Sequence, residues 1–166
     1  MRHLLTSIAL ALFPFSAQAA STCAPGTTTI LSCTFSNGAK ALVACQDGTS
    51  ATYAFGKVGQ VPDLALSVPI ESLGYVPWPG VGSSVWDEVT FTNNGVAYVL
   101  WQSFDRDPNV AMPQQAGIVV RQGDKDLARL ECDQGSITPQ IDGLWDVFEA
   151  LGQCYDRQDQ SWAACQ

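Results

Sequence analysis

Acidic side chains are the groups in this sequence that are best placed to do chemistry. The chain has 166 residues, with 16 Asp and Glu, eight Lys and Arg, and a single histidine, His3. His3 lies in the leader described below, so the rest of the chain lacks histidine for Ser-His-Asp or Cys-His catalysis. Two carboxylates across a hairpin could act on a glycosidic bond, for example Asp87 or Glu88 with Asp105 or Asp107. Because acids are plentiful and chance pairs are common, the sequence predicts no catalytic residue and no enzyme.

Cysteine chemistry is the second option, and here it indicates disulfides. Six cysteines follow an export-type leader, and no C-x-x-C pair suggests zinc, so three disulfides and no metal are expected. Cys154 and Cys165 are close in sequence and are expected to bond to each other. The other pairings stay open at this level. The six residues are Cys23, Cys33, Cys45, Cys132, Cys154 and Cys165.

One pairing is disfavoured by strand geometry. Asn37-Gly38 suits a two-residue hairpin turn, which would place Cys33 opposite Leu42 and Cys45 opposite Ile30. Side chains alternate between the two faces of a strand, so Cys33 and Cys45 would lie on opposite faces. We therefore expect no bond between Cys33 and Cys45.

The first 19 residues have the pattern of a signal peptide. Arg2 and His3 precede a mostly apolar run, and Ala17-Gln18-Ala19 forms a small-x-small cleavage site, so the mature domain is predicted to span 20–166. The apolar run is too short to cross a bilayer, and Cys23 lacks the context of a lipid-modified cysteine. The sequence predicts a periplasmic or secreted protein without a membrane anchor.

The charge balance limits the partners. The formal net charge is −8, and removal of Arg2 with the leader makes it one unit more negative. Nucleic acids and anionic membranes require Lys and Arg clusters, so neither is expected as a partner. The charge is compatible with a basic protein partner, although an acidic surface commonly serves solubility alone. No cofactor is predicted, and the expected assembly is a monomer or weak dimer.

Turn dipeptides between apolar runs predict antiparallel hairpins along most of the domain. In residues 86–101 an Asn94-Gly95 turn pairs Phe91 with Tyr98 and Val89 with Leu100. In residues 117–132, a three-residue loop of Gly123, Asp124 and Lys125 segregates apolar from charged side chains. The predicted fold class is mainly β, an antiparallel sandwich or open barrel of six to eight strands.

After Cys132 the hydrophobic period becomes helical. Thr138-Pro139 can serve as the cap and first residue of an amphipathic helix over about 138–153. This helix is expected to pack on the sheet through its apolar positions, Ile141, Leu144, Val147, Phe148 and Leu151.

Two loops hold the candidate partner-binding residues. Tyr75 and Trp78 stand among glycines and prolines, where they could cap the core or anchor a partner, since Trp and Tyr dominate interface energetics. Asp105 and Arg106 belong to a compact charged turn, in which Arg106 is expected to bridge the flanking carboxylates. Tyr75, Trp78, Asp105 and Arg106 are therefore the predicted binding residues.

Residues 30–135 carry a resemblance to uncharacterised small exported bacterial β-domain proteins. It rests on Cys33, Asn37-Gly38, Cys45-x-x-Gly48, Tyr53-x-Phe55-Gly56-Lys57, Leu66-Ser67-Val68-Pro69, Trp78-x-Gly80-x-Gly82, Asp105-Arg106 and Ala116-Gly117 followed by Cys132.

At the level of fold class, the chain is also similar to the periplasmic lysozyme inhibitors, although it lacks their Ser-Gly-x-x-Tyr loop. That similarity implies a binding or inhibitory module for a protein such as a basic cell-wall hydrolase or a toxin. The alternatives are a carboxylate-dependent enzyme acting on glycans and an envelope protein with a purely structural role.

Overall fold

The computed structural model describes residues 22–107, 109–111 and 113–165, so the predicted signal peptide lies outside the described residues. The described part is mainly β, with antiparallel pairing throughout, one α-helix and two short 3-10 helices. Its twelve strands are β1 Thr28–Phe35, β2 Lys40–Gln46, β3 Ser50–Lys57, β4 Leu64–Pro69, β5 Gly74–Val76, β6 Ser84–Asn93, β7 Val96–Asp105, β8 Gln114–Gln122, β9 Lys125–Glu131, β10 Thr138–Pro139, β11 Gln153–Asp156 and β12 Ser161–Ala164.

The first sheet has the order β10-β1-β2-β3-β4. Cys33 lies opposite Leu42, as the Asn37-Gly38 turn predicts. Cys45 lies opposite Thr29 instead of Ile30, because a bulge leaves Ile30 as an extra residue in β1. The bulge leaves Ile30 and Leu31 buried side by side, and in the sequence such a short apolar run does not distinguish a bulge from a strand buried on both faces.

The second sheet has the order β5-β6-β7-β8-β9. The β6–β7 hairpin turns at Asn94 and Gly95, with φ of 50° and 78°, which are the positive angles that a two-residue turn requires. Phe91 pairs with Tyr98 and Val89 with Leu100, so the predicted register is confirmed.

The β8–β9 hairpin differs from its prediction at the turn and agrees beyond it. Gln122 pairs with Lys125, so the turn has two residues instead of three. A register shift follows at once, and Val120 pairs with Ala128 as expected. The bulge compensates for the shorter turn, which is why the apolar segregation survives.

The two sheets pack face to face as a sandwich. The Tyr53 ring of the first sheet lies 5.6 Å from the Phe91 ring and 5.7 Å from the Tyr98 ring of the second. The structure has more than the predicted six to eight strands. The additional ones, β5, β10, β11 and β12, have only two to four residues each, which is too short for a clear sequence pattern. The largest fully buried side chains come from both sheets, the 3-10 helix Ile70–Ser72 and the C-terminal segment: Phe91, Phe148, Ile30, Leu31, Leu42, Ile70, Leu100, Ile118, Ile141, Leu144 and Val89.

All six cysteines form disulfides, joining Cys23 to Cys45, Cys33 to Cys132 and Cys154 to Cys165. The predicted local bond is confirmed, and Cys33 is not bonded to Cys45. The Cys33–Cys132 bond links β1 of the first sheet to the end of β9 in the second. Three disulfides indicate an extracellular or otherwise oxidising compartment.

The C-terminal helix is shorter than predicted. Thr138-Pro139 does not cap a helix, because it pairs with Ser32 and Leu31 as strand β10 and supplies a neighbour for β1. A 3-10 turn at Ile141–Gly143 leads into helix α1, Leu144–Ala150, which ends before Gly152 at a φ of 76°. None of the helices in the described part of the chain is long and apolar enough to cross a membrane.

Candidate binding cleft and loop surface

Asp87 is a charged side chain inside the domain. It lies on β6, points to the same face as Val89 and is only 5% exposed. Its Oδ1 accepts hydrogen bonds from the Tyr75 hydroxyl at 3.4 Å and from the Trp78 backbone N–H at 3.3 Å. Its Oδ2 accepts one from Gln102 Nε2 at 3.2 Å. Three donors therefore converge on this carboxylate, and each of them is neutral.

Burial raises the pKa of Asp87 above its ordinary value, and the hydrogen bonds from Gln102, Trp78 and Tyr75 oppose that shift only in part. A nearby acid, Asp142, raises the pKa further. A buried carboxylate is stabilised best by a cation or by short charge-assisted bonds, and the donors to Asp87 provide neither. The ionised form of Asp87 is thus incompletely compensated.

Gln102 connects Asp87 to the C-terminal segment. It pairs with Asp87 across the β6–β7 hairpin, and its Nε2 also donates to Asp142 Oδ1 at 3.3 Å. Its Oε1 accepts from the Ile141 backbone N–H at 2.9 Å. Because one amide nitrogen contacts both acids, the Asp87 and Asp142 oxygens lie within two hydrogen-bond lengths of each other.

These side chains line an open cleft of about 260 Å³. Phe104, which is 53% exposed, lies at this cleft and gives it an apolar wall. The volume is below the roughly 300–1,000 Å³ of typical small-molecule pockets, so the cleft suits one side chain or the end of a larger ligand. The lining residues are Val85, Asp87, Gln102, Ser103, Phe104, Gln114, Pro139 and Asp142.

Trp78 and Arg106, two of the predicted binding residues, come together beside the cleft. The Arg106 guanidinium carbon lies 5.8 Å from the centre of the Trp78 ring, within range of a cation–π contact. The Trp78 indole donates to the Val81 carbonyl at 2.8 Å, and the Arg106 backbone N–H donates to Ser83 O at 3.0 Å. These bonds hold the 77–83 loop against the end of β7, with the half-exposed Trp78 ring at the surface.

Asp105 has a turn-forming role in the structure. Its backbone N–H donates to the Pro113 carbonyl at 2.6 Å, and its carboxylate accepts from the Asp107 backbone N–H at 2.8 Å. The expected bridge from Arg106 to the flanking carboxylates does not form; within the described ranges, the ion pairs are Arg121–Asp126 and Arg129–Glu131. The acids of this turn accept from backbone N–H groups and the Asn109 amide, while the Arg106 guanidinium contacts Trp78 and donates to the Gly82 carbonyl.

The proposed carboxylate pairs across the β6–β7 hairpin are not formed either. Asp105 pairs with Ser84 and points to the outer face, whereas Asp87 points inward. Glu88 lies opposite Trp101, also on the outer face. The acid that approaches Asp87 is Asp142, from the C-terminal segment.

Tyr75 is buried, so it cannot serve as an exposed anchor in this structure. It is 3% exposed, and its ring stacks on Trp162 at 5.6 Å with an interplanar angle of 17°. The Trp162 indole donates to the Tyr75 carbonyl at 3.0 Å, and Phe148 lies on a neighbouring side at 5.7 Å. Burial raises the pKa of Tyr75 well above its usual value. The β11–β12 hairpin, which covers Tyr75, was not predicted from the sequence.

Sequence reasoning did not identify Gln102 or Asp142. A signal for Gln102 was present, because strand alternation in the β6–β7 hairpin puts this polar residue on the buried face with Leu100. Asp142 gave no such signal, since its approach to Gln102 depends on a contact between residues 40 positions apart.

Comparison of the chain with known protein families, curated proteins and solved structures found no match. Across the described ranges, no group of three or more His, Cys, Asp or Glu side chains is arranged to hold a metal ion. A function must therefore be inferred from the geometry of the cleft and its loops.

Proposed function

We propose that this chain is an exported binding or inhibitory module for a basic protein, in the periplasm or outside the cell. Its partner would be a cell-wall hydrolase of the lysozyme type or a basic toxin. The observation that carries the proposal is the buried, incompletely compensated carboxylate of Asp87 in an open cleft that it shares with Asp142.

A cationic side chain of the partner would complete this cleft. A lysine or arginine entering it would place positive charge beside Asp87, whose present hydrogen-bond donors are neutral and lie at 3.2–3.4 Å. A desolvated pair with hydrogen bonds on both sides can contribute strongly to an interface. Asp142, which shares Gln102 with Asp87, would interact with the same cation.

The surface beside the cleft offers apolar contact. Val81 in the 77–83 loop is 71% exposed and Phe104 at the end of β7 is 53% exposed, while Trp78 is half-buried between them and Arg106. Interfaces typically combine such aromatic anchors with a few charged contacts. This binding surface is defined as Trp78, Val81, Phe104, Arg106, Asp87 and Asp142.

The net charge of the chain fits the same partner. At −8, the whole chain attracts a basic protein over long range and speeds encounter, while contacts at the binding surface set the lifetime of the complex. The two contributions can therefore be separated by kinetics.

The first experiment identifies and times the complex. The purified domain is used to capture partners from periplasmic extract and culture medium, with hen-type lysozyme as a basic protein available for a direct trial. With the captured partner, raising salt from about 50 to 500 mM shortens the Debye length several-fold, so association should slow while dissociation changes little.

Variants then test the surface. Trp78→Ala should accelerate dissociation by about one to three orders of magnitude, if it removes about 2–4 kcal/mol of contact. Asp87→Asn should also accelerate dissociation, because it removes the charge that faces the cation. Asp133→Asn is the matched control: it neutralises an acid outside the binding surface and should leave dissociation unchanged.

The outcomes separate the components of the proposal. If Trp78→Ala leaves the kinetics of the captured partner unchanged, the 77–83 loop is only a structural cap. If Asp87→Asn and Asp133→Asn alter dissociation equally, the cleft has no special role. Capture of acidic proteins alone would contradict the proposed partner class.

One observation favours a second candidate, a carboxylate-dependent enzyme acting on glycans. Asp87, with its raised pKa, and Asp142 both contact Gln102 Nε2, and an acid of raised pKa beside a second carboxylate is the arrangement used in glycoside hydrolysis. Turnover of an oligosaccharide panel that is abolished by Asp87→Asn would support this candidate over the binding module.

A further inference from the structure

The outer face of the second sheet, turned away from the sandwich core, carries a separate group of aromatic and polar side chains. In the aligned register of β6 to β9, Glu88 lies opposite Trp101, Trp101 opposite Gly117, and Gly117 opposite Glu131. Val99 and Val119 pair beside them and form, with Trp101, a hydrophobic cluster distinct from the core. Although they lie on the outer face, Val99 is 5% and Val119 is 2% exposed.

Trp101 lies flat on this face. A side chain at position 117 would place its Cβ 2.9 Å from Trp101 Nε1 and against the Leu130 carbonyl oxygen, so only glycine leaves room for the indole. The Arg129 guanidinium lies over the ring at 5.0 Å from its centre. The indole is thus held between the backbone of β8 and a movable arginine.

Trp101 is 9% exposed and its indole nitrogen is buried. Among the described residues, the N–H of this nitrogen has no hydrogen-bond partner. Leaving a buried donor unpaired costs free energy, and such donors in native proteins are usually satisfied by water or a ligand. Arg129 is half-exposed and its ion pair with Glu131 is long, at 3.9 Å. A ligand that displaces Arg129 would gain the face of the indole.

The two arginines of this face already have acidic partners and Glu88 adds a negative charge to the recess, which disfavours an anionic ligand. Arg121 Nε binds Asp126 at 2.7 Å, and Arg129 faces Glu131, so neither arginine requires an external anion. Trp86, Glu88, Arg121 and Arg129 nevertheless line one recess with Trp101. Tryptophan rings beside arginine and glutamate side chains suit a hydroxyl-rich molecule. The rings can cover its C–H faces, while the guanidinium and carboxylate groups bind its hydroxyls.

The size of the recess indicates the form of that ligand. Its volume of about 120 Å³ is too small to enclose a typical small molecule, so a ligand would have to lie across the sheet and place only part of itself in the recess. We propose that the outer face of the second sheet binds a neutral oligosaccharide chain, with an oxygen of one sugar unit accepting the Trp101 indole N–H and Trp86 covering a sugar face.

The test is a two-dimensional NMR titration of the oxidised domain with cellotetraose, chitotetraose and tetragalacturonate. The indole N–H signal of Trp101 is assigned with the Trp101→Phe variant. The expected result is that a neutral tetrasaccharide shifts the Trp101 indole signal and backbone signals of β6 to β9, whereas tetragalacturonate does not. Absence of shifts with both neutral tetrasaccharides, or shifts with tetragalacturonate alone, would overturn the proposal.

Two variants make the test specific. Trp101→Phe keeps a ring on Gly117 but lacks the donor, and should weaken neutral tetrasaccharide binding by about fivefold or more. Trp78→Ala, which lies on the binding surface of the proposed function, should leave tetrasaccharide affinity unchanged. If Trp101→Phe binds as tightly as the natural chain, the unpaired N–H has no part in recognition and the proposal fails.

Discussion

Two aspartates at opposite ends of β1 show how differently one side chain can be used in the same domain. The segment from Asp133 to Asp142 runs along β1, with Asp133 N–H donating to Thr34 O at 2.8 Å and Gln140 N–H to Ile30 O at 3.0 Å. Asp133 ends up beside the 36–39 turn, and Asp87 lies at the cleft near Ile141. Within the described residues, each carboxylate accepts three hydrogen bonds.

Asp133 is solvated and well satisfied. It accepts from the Thr34 hydroxyl at 2.8 Å and from the backbone N–H groups of Asn37 at 3.0 Å and Gly38 at 2.8 Å. The Thr34 bond, followed by those of Asn37 and Gly38, holds the pKa of Asp133 below its ordinary value. At Asp87 a similar number of longer bonds cannot offset burial, and the pKa is raised. Solvation, rather than the number of bonds, decides the direction of the shift.

The two ends also differ in how they are fixed. The Asp133 end carries the Cys33–Cys132 disulfide directly beside the carboxylate. The Asp87 end is packed by the side chains of Tyr75, Phe148 and Trp162, and the Cys154–Cys165 bond there closes the hairpin that carries Trp162 without joining the two sheets. The Asp133 end is thus fixed by a bond between the two sheets, whereas the Asp87 end is fixed by the packing of its aromatic side chains.

The largest effect is expected from removing the covalent link at the Asp133 end. Cys33→Ala combined with Cys132→Ala opens a bond between residues 99 positions apart. In the chain-entropy picture, a loop of this length is worth about 4–5 kcal/mol of unfolding free energy. Urea unfolding measures the loss, with the Cys154→Ala and Cys165→Ala pair, which opens a much shorter loop, expected to cost about 2–3 kcal/mol. A larger loss of unfolding free energy from opening Cys154–Cys165 would contradict the conclusion that Cys33–Cys132 is the more stabilising of the two bonds.

Loss of packing at the Asp87 end should come next. Phe148 is 1% exposed and its ring lies 4.8 Å from that of Trp162. Phe148→Ala should lower the unfolding free energy by about 3–5 kcal/mol, because it leaves a cavity under Tyr75. Leu127→Ala, at a side chain that is 49% exposed, is the control and should change stability by less than about 0.5 kcal/mol. If Phe148→Ala lowers the unfolding free energy as little as Leu127→Ala does, packing of the helix contributes little to the stability of the domain.

The hairpin of β6 and β7 shows what the sequence could establish. Its turn, register and inward face followed from Asn94-Gly95 and from alternation, because both signals are local. The Cys154–Cys165 bond could be predicted for the same reason. The bulges at Ile30 and in β9 could not, since a break in alternation is also produced by a strand buried on both faces or by a different turn length, and only the pairing with the neighbouring strand decides between them.

The candidate site was less accessible from the sequence because it is assembled from distant segments. Trp78 and Arg106 were selected for their residue types, and the structure brings them together. Tyr75 has the same kind of local sequence as Trp78, yet Trp162, 87 residues away, buries it. Thr138-Pro139 has the composition of a helix start, and its pairing with β1 depends on an open sheet edge that no local pattern records.

A pH titration of stability should give opposite signs at the two aspartates. Asp87 has a raised pKa in the folded state, so its protonated form contributes stability below the unfolded pKa of about 3.9, and that contribution is lost as pH rises through the folded pKa. Asp133 has a lowered pKa, so its contribution is present above the unfolded pKa and is lost as pH falls through the folded value.

Asp87→Asn and Asp133→Asn therefore serve as each other's control. Relative to the natural chain, Asp87→Asn should gain unfolding free energy as pH rises above about 4 and through the raised folded-state pKa of Asp87. Asp133→Asn should lose stability at pH 7, and the deficit should narrow below about pH 3.5. Urea unfolding at several pH values tests both, and parallel pH profiles for the two variants would remove the distinction between the two ends.

The smallest effect is expected from the hydroxyl of Tyr75. Tyr75→Phe keeps the stack on Trp162 and removes a 3.4 Å hydrogen bond to Asp87. Its loss should lower stability at pH 7 by about 1 kcal/mol or less, and should matter less at pH 3, where Asp87 is protonated. A much larger loss at pH 7 would show that Asp87 depends on this one donor.

The contact between Tyr75 and Trp162 has a consequence for how the chain reaches its native state. A polypeptide emerges from the ribosome with its N-terminus first. The stack on Tyr75 needs Trp162, which follows it by 87 positions, so the aromatic core at the Asp87 end cannot close before β12 has been synthesised. Until then Tyr75 and Phe148 lack the side chain that covers them, and this end of the domain is the later of the two to fold.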